Sequence, residues 1–375
     1  MKTPKYEVAD LLRAQLPQLP ELCANSWQLR TLYALTKCRT VALGGHIDRC
    51  NHGACASLHI SYNSCRNRHC PKCQGHQSQK WVAARVEELL DVPYYHLVFT
   101  LPGELNQMAL HKPWLIYNLL FKTAWAVVRG FADNPKYLGA KTGMIAVLHT
   151  WGQNLSLHPH LHCIVPGGGI GQSGNWKPLP KKGKYLFPVR AISKVFRAKF
   201  VAGLRKHTDQ PPDFYQKLFN KDWVVYCKRP FKTPYHVISY LGRYTHKIAI
   251  NNHRIVGMDD QKVSFTAKNY RKGGQKQVIT LNQREFIRRF SQHILPKGFV
   301  RIRHYGFLSS TGKRVYLEQI KTQVGTPCNK IPVQISQHRL CPACQKGQLV
   351  TIAVFDCRGP PILWINRINI QKNIS

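Results

Sequence analysis

The segment His158-Pro-His160-Leu161-His162-Cys163-Ile164-Val165, closed by Pro166 and three glycines, constrains this chain more than any other. Alternate residues of a strand face opposite ways. His158, His160 and His162 therefore share one face, while Leu161, Cys163 and Val165 point the other way into a core. Imidazoles held rigidly on such a strand make a platform for a divalent cation. His160 and His162 need a third donor. Gln153, one short loop upstream, can return to the same site, and His246 is its competitor. An amide or imidazole third donor, rather than a pair of carboxylates, points to one metal polarising a single phosphate as a Lewis acid.

The flanking sequence reads as mixed α and β. Strands are predicted at Tyr94–Thr100, Met144–Thr150, His158–Val165 and Trp223–Lys228. Helices are predicted over Gln79–Leu90, Glu104–Phe131, Phe187–Lys206 and Pro234–Lys247, the last with proline near its start. Two short strands, near Lys262–Thr266 and Gln277–Leu281, form a hairpin across Lys272-Gly273-Gly274. This order lacks the βα alternation of a parallel sheet.

Charge narrows the function. The 55 Lys and Arg against 17 Asp and Glu give +38, which calls for a polyanionic partner. The 15 Phe, 16 Tyr and 8 Trp are far too many for a disordered basic tail. The opening MKTPKYEVAD carries no secretory signal, and no apolar run is long enough to span a bilayer. A cytoplasmic, nucleoid-associated bacterial protein is the expectation. There thiols stay reduced, so the 13 cysteines point to metal instead of disulfides.

Seven of those cysteines lie between Cys23 and Cys73. Cys70-Pro-Lys-Cys73 is a knuckle that can turn both thiolates toward one ion, and Cys50 with Cys55 can complete a tetrahedral structural zinc site. Cys38, His46, Cys65 and His69 remain for a possible second site. Arg66 and Arg68, between ligands, suit phosphate contact. Cys341-Pro-Ala-Cys344 is a further knuckle with Cys357, Cys328 and His338 as candidate partners. The cysteine distribution divides the chain into a zinc-binding domain (1–92), a central domain (93–295) and a basic C-terminal region (296–375).

In Tyr235–Lys247, Tyr240 and Tyr244 stand at i and i+4 on one helical face. Either could attack a phosphodiester, with Arg243 and Lys247 nearby to favour the phenolate and bind the strand. Taken alone the stripe Val237, Tyr240, Leu241, Tyr244, Ile248 reads as core packing, and the histidine strand lends it meaning. Between Lys262 and Lys321, cations interleaved with aromatic residues, Arg301 and Arg303 among them, suit single-stranded DNA.

Together these motifs resemble the HUH endonuclease superfamily, and more closely its rolling-circle insertion-sequence transposases. The carriers, in order, are LGGHIDRC and YNSCRNRHCPKCQ, then HPHLHCIVPGGG, YLGRYTHKIAI and RIRHYGFL (Arg301–Leu308). The resemblance implies an α+β fold, a central antiparallel sheet with helices preceded by a small zinc-binding domain. It implies two tyrosine nucleophiles, structural Zn²⁺, catalytic Mg²⁺ or Mn²⁺, and transposition through a 5′-phosphotyrosine on single-stranded DNA. A replication initiator or relaxase-type nickase would share that site, and a non-catalytic zinc-dependent DNA-binding protein would share only the cysteines.

Overall fold

The computed structural model describes residues 4–73, 81–180, 186–231, 236–237, 242, 248–269, 273–327 and 340–374. In chain order its first elements are α1 (Val8–Ala14), α2 (Ser26–Thr36), β1 (Gly45–Cys50), β2 (Leu58–Tyr62), β3 (Tyr94–Thr100), α3 (Asn106–His111) and α4 (Pro113–Asp133). Next come β4 (Gly143–Trp151), β5 (Leu157–Pro166), β6 (Gly168–Ile170), β7 (Trp176–Pro178), α5 (Val189–Arg205), α6 (Pro212–Phe219) and β8 (Val225–Cys227). The last are β9 (Ile255–Met258), β10 (Lys262–Asn269), β11 (Gln275–Asn282), α7 (Gln283–Ser291), β12 (Ile302–Gly306), α8 (Ser310–Val324), β13 (Leu349–Phe355) and α9 (Ile362–Ile374). Among the described residues no helix is long and apolar enough to cross a membrane.

Two compact units share these elements, and neither is contiguous. The first takes residues 1–77, 250–294 and 332–375, the second 78–249 and 295–331. The three consecutive domains expected at 1–92, 93–295 and 296–375 are thus interleaved, for a reason visible in the pairing. In the first unit β1 lies between β2 and β13, so the chain's last strand completes the N-terminal sheet. The predicted hairpin β10–β11 is joined by β9 in a second small sheet of the same unit. Its Phe265 meets Phe286 of α7 at 5.7 Å, and Gln283 of α7 bonds Gln15 beyond α1.

The second unit holds a five-stranded antiparallel sheet in the order β12-β4-β5-β3-β8. Alternation sorts its side chains as the sequence predicts. Leu97, Phe99, Ala146, Leu148, Leu161 and Cys163 lie in one core cluster with the buried residues of α4 and α5. The expected single helix Glu104–Phe131 is two, because Pro113 pushes Lys112 out of the helical region (φ −125°, ψ 55°) and α4 restarts there with proline at its first position. On the opposite sheet face, Tyr94, Ile145, Val147 and Ile164 gather with Phe307, Leu308 and Leu317.

The RIRHYGFL segment forms the edge strand β12 beside β4. Gly306 ends it in the left-handed region (φ +59°), where a Cβ would collide with the Thr142 carbonyl.

Candidate functional site

Strands β4 and β5 form a hairpin whose register sets His149 directly opposite His160 and Val147 opposite His162. The ligating nitrogens of His149, His160 and His162 all fall within 4.8 Å of one another. Ring centroids are 4.6 Å apart for His149 and His162, and 4.9 Å for His160 and His162. His149 thus brings a third imidazole to this point from the neighbouring strand. Gln153, to which the sequence assigned that place, sits on the turn between the two strands. His158, although on the same face, is exposed near the strand's start and outside the triple.

Hydrogen bonds fix which nitrogen each ring offers. His160 Nδ1 lies 2.6 Å from the His158 carbonyl oxygen, so it carries the proton and donates. Its Nε2 is then the lone-pair nitrogen. His162 Nδ1 lies 2.9 Å from His96 Nε2. His96, on β3 and fully buried, was not singled out from the sequence. Burial first, then the Lys228 charge and His160, lower its pKa to about 3, so it stays neutral and can accept. With His96 Nε2 as acceptor, His162 would donate from Nδ1 and present Nε2, the usual polarity of a metal-ligating imidazole with an outer partner. Three imidazoles meeting at one point, two with their outer nitrogens bonded, fit a divalent ion that accepts nitrogen donors. The set suits Mn²⁺ or another transition ion better than Mg²⁺, which prefers oxygen.

Tyr240, Tyr244, Arg243, Lys247 and His246 lie outside the described residues. His236, Val237 and Gly242 are helical, and Val237 is buried in the cluster formed by Ile145, Val147 and Ile164. Those residues alternate with the inward core, so Val237 sits on the sheet face that carries the histidines.

The cysteines assemble in pairs the sequence did not predict. Cys70 and Cys73 join Cys38 and Cys65, whereas Cys50 and Cys55 join Cys341 and Cys344. In the first set the Sγ–Sγ separations are 3.5 Å (Cys38–Cys70), 3.6 Å (Cys38–Cys73) and 3.8 Å (Cys65–Cys73). A tetrahedron of thiolates about 2.3 Å from zinc has edges of about 3.8 Å, so this quartet fits a structural zinc. The expected site Cys50, Cys55, Cys70, Cys73 is corrected accordingly, because the two knuckles belong to different quartets. Nor do His46 and His69 join Cys38 and Cys65. His46 Nε2 turns to Asp48, 3.3 Å away, and buried His69 lies against Arg68 at 3.3 Å. Cys357 is exposed and outside both quartets, while Cys328 and His338 lie outside the described residues.

Of the expected DNA-binding cations, Arg66 is exposed. Arg68 is half-buried beside His69. Arg301 and Arg303 make contacts within the fold. Arg301 is buried, and its carbonyl accepts from Leu148 N–H. Arg303 donates to Asn118 and lies 4.2 Å over the Phe121 ring.

Comparison with known proteins agrees in two separate stretches. A family model described as "Putative transposase" matches residues 143–315, and one described as "Transposase zinc-binding domain", of the IS91 type, matches residues 12–101. "Putative transposase y4qJ" of Sinorhizobium fredii (strain NBRC 101917 / NGR234) is 40% identical over 392 residues, covering 96% of this chain and 98% of the relative. "Transposase for insertion sequence element IS801" of Pseudomonas savastanoi pv. phaseolicola is 29% identical over 310 residues, covering 78% of this chain and 73% of the relative. No solved structure matches.

Proposed function

Because the chain belongs to the insertion-sequence transposases with an IS91-type zinc-binding domain, we propose that it nicks and rejoins single-stranded DNA at element ends through a 5′-phosphotyrosine. The observation that carries this reading is the convergence of His149, His160 and His162 on one sheet face, with Val237 at the start of the tyrosine segment seated on that face. A divalent ion held by the three imidazoles would neutralise charge on the scissile phosphate.

The protein's own part is positional. The sheet fixes the three rings, and the segment that follows Val237 in the sequence carries the two candidate nucleophiles, Tyr240 and Tyr244. One phenol oxygen attacks phosphorus, and the bond from phosphorus to the 3′ oxygen breaks. The 5′ end is left esterified to tyrosine, and the 3′ oxygen leaves as a hydroxyl, taking up a proton as the phenol gives one to solvent. Attack by a 3′-hydroxyl on the ester reverses the step. The bond energy is conserved, so no nucleotide is consumed, and the second tyrosine serves the joining step.

The test is incubation of the full chain with single-stranded oligonucleotides from the flanks of its gene and Mn²⁺, read on a denaturing gel. The expected result is a covalent protein–DNA adduct that is lost in His160→Ala and in the Tyr240→Phe, Tyr244→Phe double variant. His149→Ala should lose it as well, while Gln153→Ala should keep it. Tight binding of the oligonucleotides with no adduct under any metal would leave a zinc-dependent DNA-binding protein and defeat the proposal.

A further inference from the structure

The matched zinc-binding stretch ends at residue 101, yet the second cysteine quartet takes half its sulfurs from far beyond it. We infer that Cys50, Cys55, Cys341 and Cys344 hold a second structural zinc ion that fastens the C-terminal segment to the N-terminal sheet. The partners are 286 residues apart for Cys55 and Cys341 and 294 for Cys50 and Cys344.

Four observations point to thiolates around one ion. The Sγ–Sγ separations are 3.7 Å (Cys50–Cys344) and 3.8 Å (Cys55–Cys341), the edge length of a tetrahedral zinc–thiolate site and far outside disulfide length. Donors converge on the sulfurs as they do on anionic ones. His52 N–H reaches Cys50 Sγ at 3.4 Å, Gly347 N–H reaches Cys344 Sγ at 3.3 Å, and Ser57 Oγ lies 3.1 Å from Cys341 Sγ. The residue following each knuckle is forced into the left-handed region, Ala56 at φ +44° and Gln345 at φ +54°, a strain that persists only where surroundings over-determine it. Gly347 is the fourth. A Cβ there would strike Cys50 Sγ, so only glycine lets the two knuckles close on one another.

The neighbouring strands support the same clasp. β13 pairs with β1 from Gly45–Phe355 to Cys50–Leu349, ending at the quartet. Buried Asp48 accepts from Thr351 Oγ1 at 2.7 Å and from Ser61 Oγ at 3.0 Å, tying all three strands together. Zinc at the end of this sheet would contribute folding energy to both chain ends at once.

Zinc per chain, measured by native mass spectrometry with elemental analysis on the full chain, tests the inference. With the imidazole triple emptied by His160→Ala in every protein compared, the otherwise unaltered chain should carry two zinc ions, Cys341→Ser with Cys344→Ser one, Cys70→Ser with Cys73→Ser one, and exposed Cys357→Ser two. Alkylation of the one-zinc Cys341/Cys344 variant should reach Cys50 and Cys55 while sparing Cys38, Cys65, Cys70 and Cys73. Gly347→Ala should lose the second ion with every ligand intact. If the serine variant exposes all remaining thiols by unfolding, Cys344→His decides, because imidazole can replace one thiolate: two ions and restored protection support the site. One zinc ion in the otherwise unaltered chain, iron in its place, two ions in the Cys341/Cys344 variant, or no rescue by Cys344→His would each overturn it.

Discussion

Replacing His96 with leucine removes a residue that touches no DNA in the proposed reaction, and its effect follows from one contact. His96 Nε2 is 2.9 Å from His162 Nδ1, and both side chains are buried. Leucine fills the space and leaves the His162 Nδ1–H without that acceptor. A buried donor stripped of its partner costs about 1–3 kcal/mol. Loss of an outer partner of a ligating histidine usually weakens metal affinity by roughly 10–100-fold. The two estimates agree. His96→Leu should therefore raise the Kd for Mn²⁺ by about that factor, measured from the free-ion signal in electron paramagnetic resonance at constant zinc content. His96→Gln, whose amide oxygen can accept from Nδ1, should recover most of the loss. Unchanged Mn²⁺ affinity in a folded His96→Leu protein would refute the reasoning, as would equal loss in both variants.

Other consequences are independent of that contact. Leu161 lies between His160 and His162 and is fully buried on the opposite face, so Leu161→Ala should destabilise by about 2–5 kcal/mol in denaturant titrations. Arg303→Ala should lower the Tm through its lost contacts with Asn118 and Phe121, yet leave the salt dependence of DNA binding unchanged, since the guanidinium is spent inside the fold. His304, on β12, has its pKa lowered to about 4, first by burial and then by the Arg85 and Lys313 charges. The unfolded chain then binds the extra proton first, so stability contributed by neutral His304 is whole above about pH 6.5 and lost as pH falls toward 4. The loss is at most about 3 kcal/mol, and His304→Gln should flatten that slope in pH-dependent unfolding.

Much of the second unit was legible because its signals are local. Alternation placed β3, β4 and β5 within a residue or so, and correctly sent Leu161 and Cys163 inward. The hairpin register also carries His149, since a tight turn at Gly152–Ser156 sets it opposite His160. Cysteine spacing revealed each knuckle and could not reveal which knuckles meet. That is decided by β13 crossing back to β1, a pairing whose partners, from Cys50–Leu349 to Gly45–Phe355, lie at opposite ends of the chain. Arg303 reads differently for a related reason. A cation in a basic chain reads as a phosphate contact until the fold shows an aromatic ring and an amide already holding it.

The central claim is tested most directly by locating the covalent bond. Trypsin should release Thr233–Arg243, containing Tyr240, and Tyr244–Lys247 as separate peptides from a protein–oligonucleotide adduct. The expected result is a 5′-phosphonucleotide on Tyr240 or Tyr244, located by tandem mass spectrometry. A nucleotide on any other residue, or cleavage of the strand with no linkage to protein, would contradict it.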